Sequence, residues 1–112
     1  MSGLPPTAST GAVRRKRRPG PRLWFSAVAY RDRLWVLGGW SKDPSIDYAD
    51  VWTSADGREW ERLTAGVTWK GRHEHSAYVF EDRLWVAGGH ARPLSAEVWS
   101  LHVPEDFFAR GR

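Results

Sequence analysis

Hydrophobic and polar residues follow nearly the same order in two stretches of the chain that lie fifty positions apart. Residues 26–39 read SAVAYRDRLWVLGG and residues 76–89 read SAYVFEDRLWVAGG, with nine of the fourteen positions identical. In each stretch an apolar run, a charged turn and a second apolar run lead to a pair of glycines. A period of about 50 residues indicates a repeat protein, in which each repeat has apolar faces that a neighbour must cover.

The β-rich runs alternate with turn signals, and this alternation predicts an antiparallel meander in each repeat. Glycine tolerates the positive φ angle of a tight hairpin turn, so Asp56-Gly57 marks one of these turns. The predicted strands of the first repeat are 25–30, 34–37, 50–54 and 59–63. Those of the second repeat are 75–80, 84–87 and 97–101, followed by a weak fourth strand near Phe107 and Phe108.

The second strand of the first repeat, LWVL at 34–37, has apolar side chains on both of its faces. The fourth strand, at 59–63, is mostly charged. An inner strand that is covered on both sides and a solvated outer strand are typical of a propeller blade. We therefore predict an all-β fold, a partial β-propeller of two antiparallel blades with the second blade incomplete.

Residues 1–22 differ in composition from the rest of the chain. They combine prolines and glycines with six cationic side chains and no acid, whereas the whole chain has a formal net charge of +4. Such a segment cannot bury enough apolar surface to fold, so we predict a disordered basic tail at 1–22. The two repeats then occupy 23–108, with the first blade at about 23–68 and the second at about 69–108. A basic run without aromatic residues usually stays solvated, so nucleic acid is not expected as a partner.

The apolar runs are part of a longer pattern. LWVLGG and LWVAGG each follow a small-residue strand, and DVW or EVW comes after the next loop. In the first repeat, Trp60 lies eight residues after Trp52. Over about residues 23–108 the chain resembles the kelch repeat, in particular bacterial kelch propellers of the galactose-oxidase-like class. The resemblance implies a ring of five to seven blades, so we expect this chain to be a fragment of a longer propeller, a truncated gene product.

Residues that recur at equivalent positions of the two repeats are expected to have structural roles. A glycine pair ends a strand where a neighbouring backbone or aromatic ring leaves no space for a side chain. The recurring tryptophans are expected to pack between strands and blades. The predicted structural residues are Gly38, Gly39, Trp52, Trp60, Gly88, Gly89 and Trp99.

A second resemblance concerns the hairpin after the third predicted strand. Ser54, Asp56, Gly57 and Trp60 approximate the Asp-box of sialidase-like propellers, although one residue between the aspartate and the glycine is missing. The Asp-box hairpin is itself structural, so this alternative also implies a propeller.

The loops after the second and fourth strands of each repeat emerge on the same side if consecutive strands are antiparallel. Kelch proteins typically bind partners through this long-loop face, and the resemblance implies a protein or carbohydrate ligand here. The alternative, that these are ordinary solvated loop residues, stays open. The face also includes Arg22, Trp24 and Asp47. The binding candidates are Trp40, Lys42, Asp43, Tyr48, Trp69, Arg72, His73, His90 and Arg92.

The sequence offers little evidence for catalysis or for a bound metal. No Ser/His/Asp set or carboxylate pair stands out by spacing, so no catalytic residue is assigned. His73-Glu74-His75 provides two imidazoles, which are too few for a zinc or copper site, and His75 occupies the packing position of Phe25. Galactose-oxidase copper chemistry requires a tyrosine cross-linked to a cysteine, and the chain has no cysteine. We therefore expect no metal and no cofactor.

The sequence thus favours a non-catalytic kelch-type propeller fragment that binds protein or glycan through its long-loop face. The alternative is a part of a kelch-type sugar epimerase or mutarotase that is active only as a complete propeller. Self-association is also considered, because copies of a two-blade unit could complete a ring. The sequence has no apolar run of the length that spans a bilayer or directs secretion, which predicts a cytoplasmic chain and leaves an exported parent open.

Overall fold

The structure is a computed structural model, and it describes residues 6–17, 19–65 and 69–109. Within these ranges the chain forms ten strands and one short helix. In chain order they are β1 (Thr7–Arg17), β2 (Ser26–Tyr30), β3 (Arg33–Leu37), β4 (Trp40–Ser41), β5 (Ile46–Asp47), β6 (Val51–Ser54), β7 (Trp60–Ala65), β8 (Ser76–Phe80), β9 (Arg83–Ala87), β10 (Val98–His102) and α1 (Glu105–Ala109).

Each repeat folds into an antiparallel meander. In the first repeat, β2 pairs with β3, β3 with β6, and β6 with β7. In the second repeat, β8 pairs with β9 and β9 with β10. The register is equivalent in the two copies, because Ser26 lies opposite Leu37 and Ser76 lies opposite Ala87. The fold is therefore all-β and propeller-like, as the sequence predicts.

Strand β1 corrects the prediction that the tail is disordered. Its first residues run parallel to β10, with Thr7 opposite Ser100, and its later residues run antiparallel to β7, with Arg17 opposite Trp60. The outer strands β7 and β10 each have an open edge, and main-chain pairing with an edge needs no apolar side chains. Composition therefore does not exclude a strand here. Residues 1–5 and 18 lie outside the described residues.

The end of the chain also differs from the prediction. Phe107 and Phe108, predicted to begin a weak fourth strand, lie in α1, where the Phe107 N–H donates to the carbonyl of Pro104. Both rings pack on Trp35, with centroid distances of 6.4 and 6.3 Å. The position next to β10 is taken by β1 instead. The one helix among the described residues, α1, is not long and apolar enough to cross a membrane.

The core lies between the two meanders. Trp35 and Leu37 of β3 face Leu84 and Val86 of β9, and all four side chains are fully buried. The counterpart of Leu84 in the first repeat is Leu34, which is 48% exposed. One face of each meander therefore covers the other meander, and the opposite face of the first stays open to solvent.

The hairpin between β6 and β7 is held by side chains that cap its turn. The Ser54 hydroxyl accepts a hydrogen bond from the Gly57 N–H at 2.7 Å, and Asp56 accepts from the N–H groups of Arg58 and Glu59. These two backbone bonds hold the pKa of the Asp56 carboxyl below its usual range. The residues that resemble an Asp-box therefore stabilise the turn.

Candidate ligand-binding face

Arg72 has a structural role rather than the binding role predicted from its loop position. Its side chain is fully buried. It donates to the Gly88 carbonyl at 2.9 Å, to the Ser95 hydroxyl at 3.1 Å and to the Glu97 carboxylate at 3.0 Å. A buried guanidinium needs acceptors for its donors, and this loop supplies them. Arg72 is therefore not available to a ligand.

Arg22 makes the equivalent contacts in the first repeat. It donates to the Gly38 carbonyl at 3.1 Å and to both oxygens of Asp50, at 2.6 and 3.1 Å. The pattern of strands and turns does not predict this arrangement. The signal is present nonetheless, because each arginine lies sixteen residues before the glycine whose carbonyl it binds.

The same two carboxylates also bind tryptophans. The indole N–H of Trp52 donates to Asp50 at 2.9 Å, and that of Trp99 donates to Glu97 at 3.2 Å. Hydrogen bonds from Trp99 and Arg72 hold the pKa of Glu97 below its usual range. Each repeat therefore has an arginine, an acid and a tryptophan that fix its glycine turn.

Trp69 is likewise a packing residue. Its side chain is 2% exposed, and its ring lies edge-on to Trp99 at a centroid distance of 6.2 Å. The prediction that Trp69 binds a ligand is corrected by this burial. A loop position indicates exposure only when the loop does not fold back over the core.

Of the other seven candidates, Trp40 lies in β4 and the rest lie in loops. An aromatic cluster forms the centre of this face. Trp24 and Trp40 are stacked, with centroids 5.1 Å apart and planes inclined by 19°. The His73 ring is 5.3 Å from Trp24 and 5.0 Å from the His90 ring. Trp24 is 50% exposed, so one indole of the stack presents a large surface to solvent.

Backbone pairing places these rings together. Leu23 pairs with Trp40, and His73 pairs with His90, each as an antiparallel bridge between two loops. Trp24 directly follows Leu23 of the first bridge and has a left-handed backbone conformation, with a φ of 56°. Its carbonyl accepts a hydrogen bond from the N–H of Glu74, which directly follows His73 of the second bridge. The cluster therefore depends on the fold of four loop segments that are distant in sequence.

Asp47, at the end of β5, joins the cluster because Gly71 has no side chain. A Cβ at Gly71 would lie 2.2 Å from the Asp47 carbonyl oxygen, so only glycine permits this approach. The Asp47 carboxylate accepts a hydrogen bond from His73 Nδ1 at 2.7 Å and another from Arg92 Nε at 2.9 Å. Burial opposes ionisation of Asp47, but the bonds from His73 and Arg92 outweigh it and lower its pKa.

A shallow groove of about 600 Å³ continues from the aromatic cluster along the β4–β5 loop. Trp40 forms one wall, and Lys42 and Asp43 are exposed at its rim. On the other side the Arg22 guanidinium lies 4.0 Å above the Tyr48 ring, which fixes that ring in place. The groove therefore combines the aromatic rings of Trp40 and Tyr48 with the charged side chains of Lys42 and Asp43.

His75, the remaining histidine of the His73-Glu74-His75 run, lies apart from this groove. It is buried, and its Nε2 is 2.9 Å from the Leu37 carbonyl, to which it donates. Burial lowers the pKa of His75 to about 4, so the ring is neutral at pH 7. His75 packs in the interior and does not face a ligand.

No protein-family model matches the chain, and no curated protein shows significant similarity to it. The geometry of the long-loop face is therefore the evidence on which its function is argued.

Proposed function

We propose that the chain is a kelch-type propeller unit that binds a glycan on its long-loop face and does not catalyse a reaction. The stacked pair of Trp24 and Trp40, of which Trp24 is half exposed and Trp40 lines a charged groove, is the observation that carries this proposal. Sugar rings have an apolar face that packs well on an indole, and their hydroxyl groups bond to charged side chains. The face offers both kinds of contact within one small area.

The dimensions of the groove favour a small ligand over a protein. A volume of about 600 Å³ is within the range of small-molecule sites, which are mainly apolar with a few polar groups. A stable protein interface needs roughly 800 Å² from each partner, which this groove alone does not provide. Lys42 and Asp43 at the rim are placed to bond to hydroxyl or carboxylate groups of a sugar.

The kelch assignment is supported by the parallel construction of the two repeats. Gly38 and Gly88 both have a φ of 67°, and each turn is fixed by an arginine, an acid and a tryptophan. Repeated glycine turns of this kind, at the end of an apolar inner strand, are what the kelch resemblance implies.

The open face of the first meander supports a second part of the proposal, that copies of the chain stack on one another. Leu84 is fully buried because the first meander covers it, whereas the equivalent Leu34 is 48% exposed. On the second meander the exposed side chains include Tyr78, at 40%, and Phe80, at 58%. Tyr30, the counterpart of Phe80, is buried in the core. A second copy would therefore place on Leu34 the exposed face of its second meander, which is equivalent to the first-meander face that covers Leu84 within the chain.

Glycan binding is tested by titrating the full chain with a panel of neutral, acidic and amino sugars by calorimetry. We expect binding that Trp24→Ala weakens at least tenfold. The matched control is Phe80→Ala, which removes a similarly exposed aromatic side chain outside the groove. Binding to no sugar, or equal effects of the two substitutions, would contradict the proposal. Turnover of a free sugar would support the epimerase or mutarotase alternative instead.

A further inference from the structure

We propose that Asp47, His73 and His90 form a binding site for a divalent cation of the zinc type. One possible ligand atom from each residue can be chosen so that all three lie within 4.8 Å of one another. Imidazole nitrogens and a carboxylate oxygen are the donors that Zn²⁺ takes in sites with three protein ligands. This inference does not depend on glycan binding, because it rests on the positions of these three side chains and not on the exposed indole.

The two histidines are positioned by the backbone. His73 N–H donates to the His90 carbonyl at 3.2 Å, and His90 N–H donates to the His73 carbonyl at 2.9 Å. Residues that exchange both bonds across an antiparallel pair have their side chains on the same side. The rings consequently face each other at 5.0 Å, inclined by 33°.

The carboxylate is held beside them with little freedom. The Asp47 side chain is 8% exposed and that of His73 is 12% exposed. Asp47 Oδ1 lies 2.7 Å from His73 Nδ1, and Oδ2 accepts from Arg92. A cation between Oδ1 and Nδ1 would replace the proton of this hydrogen bond. Arg92 would remain on Oδ2, in the way that ligating carboxylates are usually supported by a second hydrogen bond.

His90 provides an independent observation that points to a ligand. Its Nδ1 atom is buried and has no hydrogen-bond partner among the described residues. A buried polar atom without a partner costs free energy, and native structures contain few of them. A cation bound to the lone pair of this nitrogen would remove that cost.

The geometry also indicates what such a cation would do. Three protein ligands leave a fourth position of a tetrahedral ion for water or for an oxygen of a ligand. The His73 ring lies 5.3 Å from Trp24, so this position is next to the exposed indole. The run His73-Glu74-His75 does not by itself predict a metal site, because this cluster takes its other two ligands, Asp47 and His90, from distant parts of the sequence.

The test is calorimetric titration of ZnCl₂ into the full, untagged chain after treatment with EDTA, together with the visible spectrum of Co²⁺ added as a probe. We expect one ion per chain, a Co²⁺ spectrum of tetrahedral type, and a melting temperature that rises with added Zn²⁺. His90→Ala should weaken binding at least tenfold. The matched control is His102→Ala, which removes an exposed histidine of β10 and should leave binding unchanged.

His90→Asn and Asp47→Asn provide second variants in case alanine at position 90 disturbs the loop. Far-ultraviolet circular dichroism establishes that each variant is folded before its affinity is compared. Equal Zn²⁺ affinity of the wild type and all folded variants would overturn the proposal, and so would the absence of binding to the wild type. Sugar titrations in EDTA keep this result separate from the test of glycan binding.

Discussion

Arg22 and Arg72 hold the two glycine turns of the chain in the same way. Each guanidinium donates to the carbonyl of the first glycine, at 3.1 Å for Gly38 and 2.9 Å for Gly88, and each pairs with an acid just before a Val-Trp dipeptide. Both glycines have a φ of 67°, so the two turns have the same left-handed conformation at the residue whose carbonyl binds the arginine. The repeat is therefore preserved in its buried polar contacts as well as in its apolar strands.

Replacing Arg72 should destabilise the fold strongly. Arg72→Ala removes the donor to the Gly88 carbonyl, and a buried or partly buried acceptor left without a partner typically costs about 1–3 kcal/mol. Glu97, the acid of the pair, is 59% exposed, so loss of its contact with Arg72 adds at most about 1 kcal/mol. Urea unfolding measures the free energy. Arg58→Ala, at an exposed position of the β6–β7 turn, is the control, and equal effects of the two substitutions would contradict the assigned role.

Low pH should weaken the ion pair between Arg72 and Glu97, because Glu97 takes up a proton. Its pKa in the folded chain lies below the usual value because Trp99 and Arg72 donate to it, so the unfolded chain takes up the proton first. Stability from this pair is therefore fully present above about pH 4.5 and decreases as the pH falls below that value. Because Glu97 is partly exposed, we expect an effect of at most about 1 kcal/mol.

The measurement is the difference in unfolding free energy between the wild type and Glu97→Gln at several pH values. This difference should be largest near pH 7 and should decrease below pH 4.5, where Glu97 of the wild type takes up a proton and becomes neutral, as the glutamine of the variant is at every pH. A difference that grows with acidity would show that the ionised carboxylate does not stabilise the fold.

Substitution of Leu34 should reduce self-association. The side chain is half exposed on the open face of the first meander, and a charge there cannot be buried by a second copy without a large cost. Light scattering of the wild type should show a mass that increases with concentration, and Leu34→Glu should shift the sample to monomer. Leu94→Glu, at a loop position that is 78% exposed, should behave as the wild type does. A wild type that stays monomeric at high concentration would rule out stacking.

Removal of residues 1–17 should lower the stability of the chain, because β1 joins the outer strands β7 and β10. The shortened chain has two open edges where the full chain has paired strands. We expect unfolding at a lower urea concentration. We also expect the free energy of unfolding to change less steeply with urea concentration, since the shortened chain exposes less surface when it unfolds. The same result is expected for Arg15→Pro, because proline has no backbone N–H and is disfavoured inside a strand that, like β1, is paired on β7. An unchanged unfolding curve would restore the prediction of a disordered tail.

Local pattern predicts the meanders well. Strand alternation, charged turns and glycine pairs each depend on a few adjacent residues, so β2, β3, β8 and β9 begin and end within about one residue of their predicted bounds. The pairing of β1 could not be predicted in this way, because it depends on where the open edges of distant strands come to lie. The helix at 105–109 likewise owes its position to packing of its rings on Trp35.

On the candidate face, too, the local sequence predicts some features and not those that depend on distant residues. Loop position predicts that Trp40 and Tyr48 lie on one face, and both line the groove, whereas Trp69 and Arg72, predicted to lie on the same face, are buried. Exposure of a loop residue depends on the acceptors and rings that the fold brings to it. The meeting of Asp47 with His73 and His90 also arises only in three dimensions, since these residues come from three segments that are separate in sequence.

The proposed sugar-binding site on the long-loop face is tested most directly by nuclear magnetic resonance. The indole N–H signals of the tryptophans are followed during titration with the sugar that binds best. We predict that the signals of Trp24 and Trp40 shift in proportion to occupancy, while those of the buried Trp35 and Trp69 stay in place. Shifts confined to the buried tryptophans, or the absence of any shift at Trp24 and Trp40 when the sugar is bound, would contradict a binding site on the long-loop face.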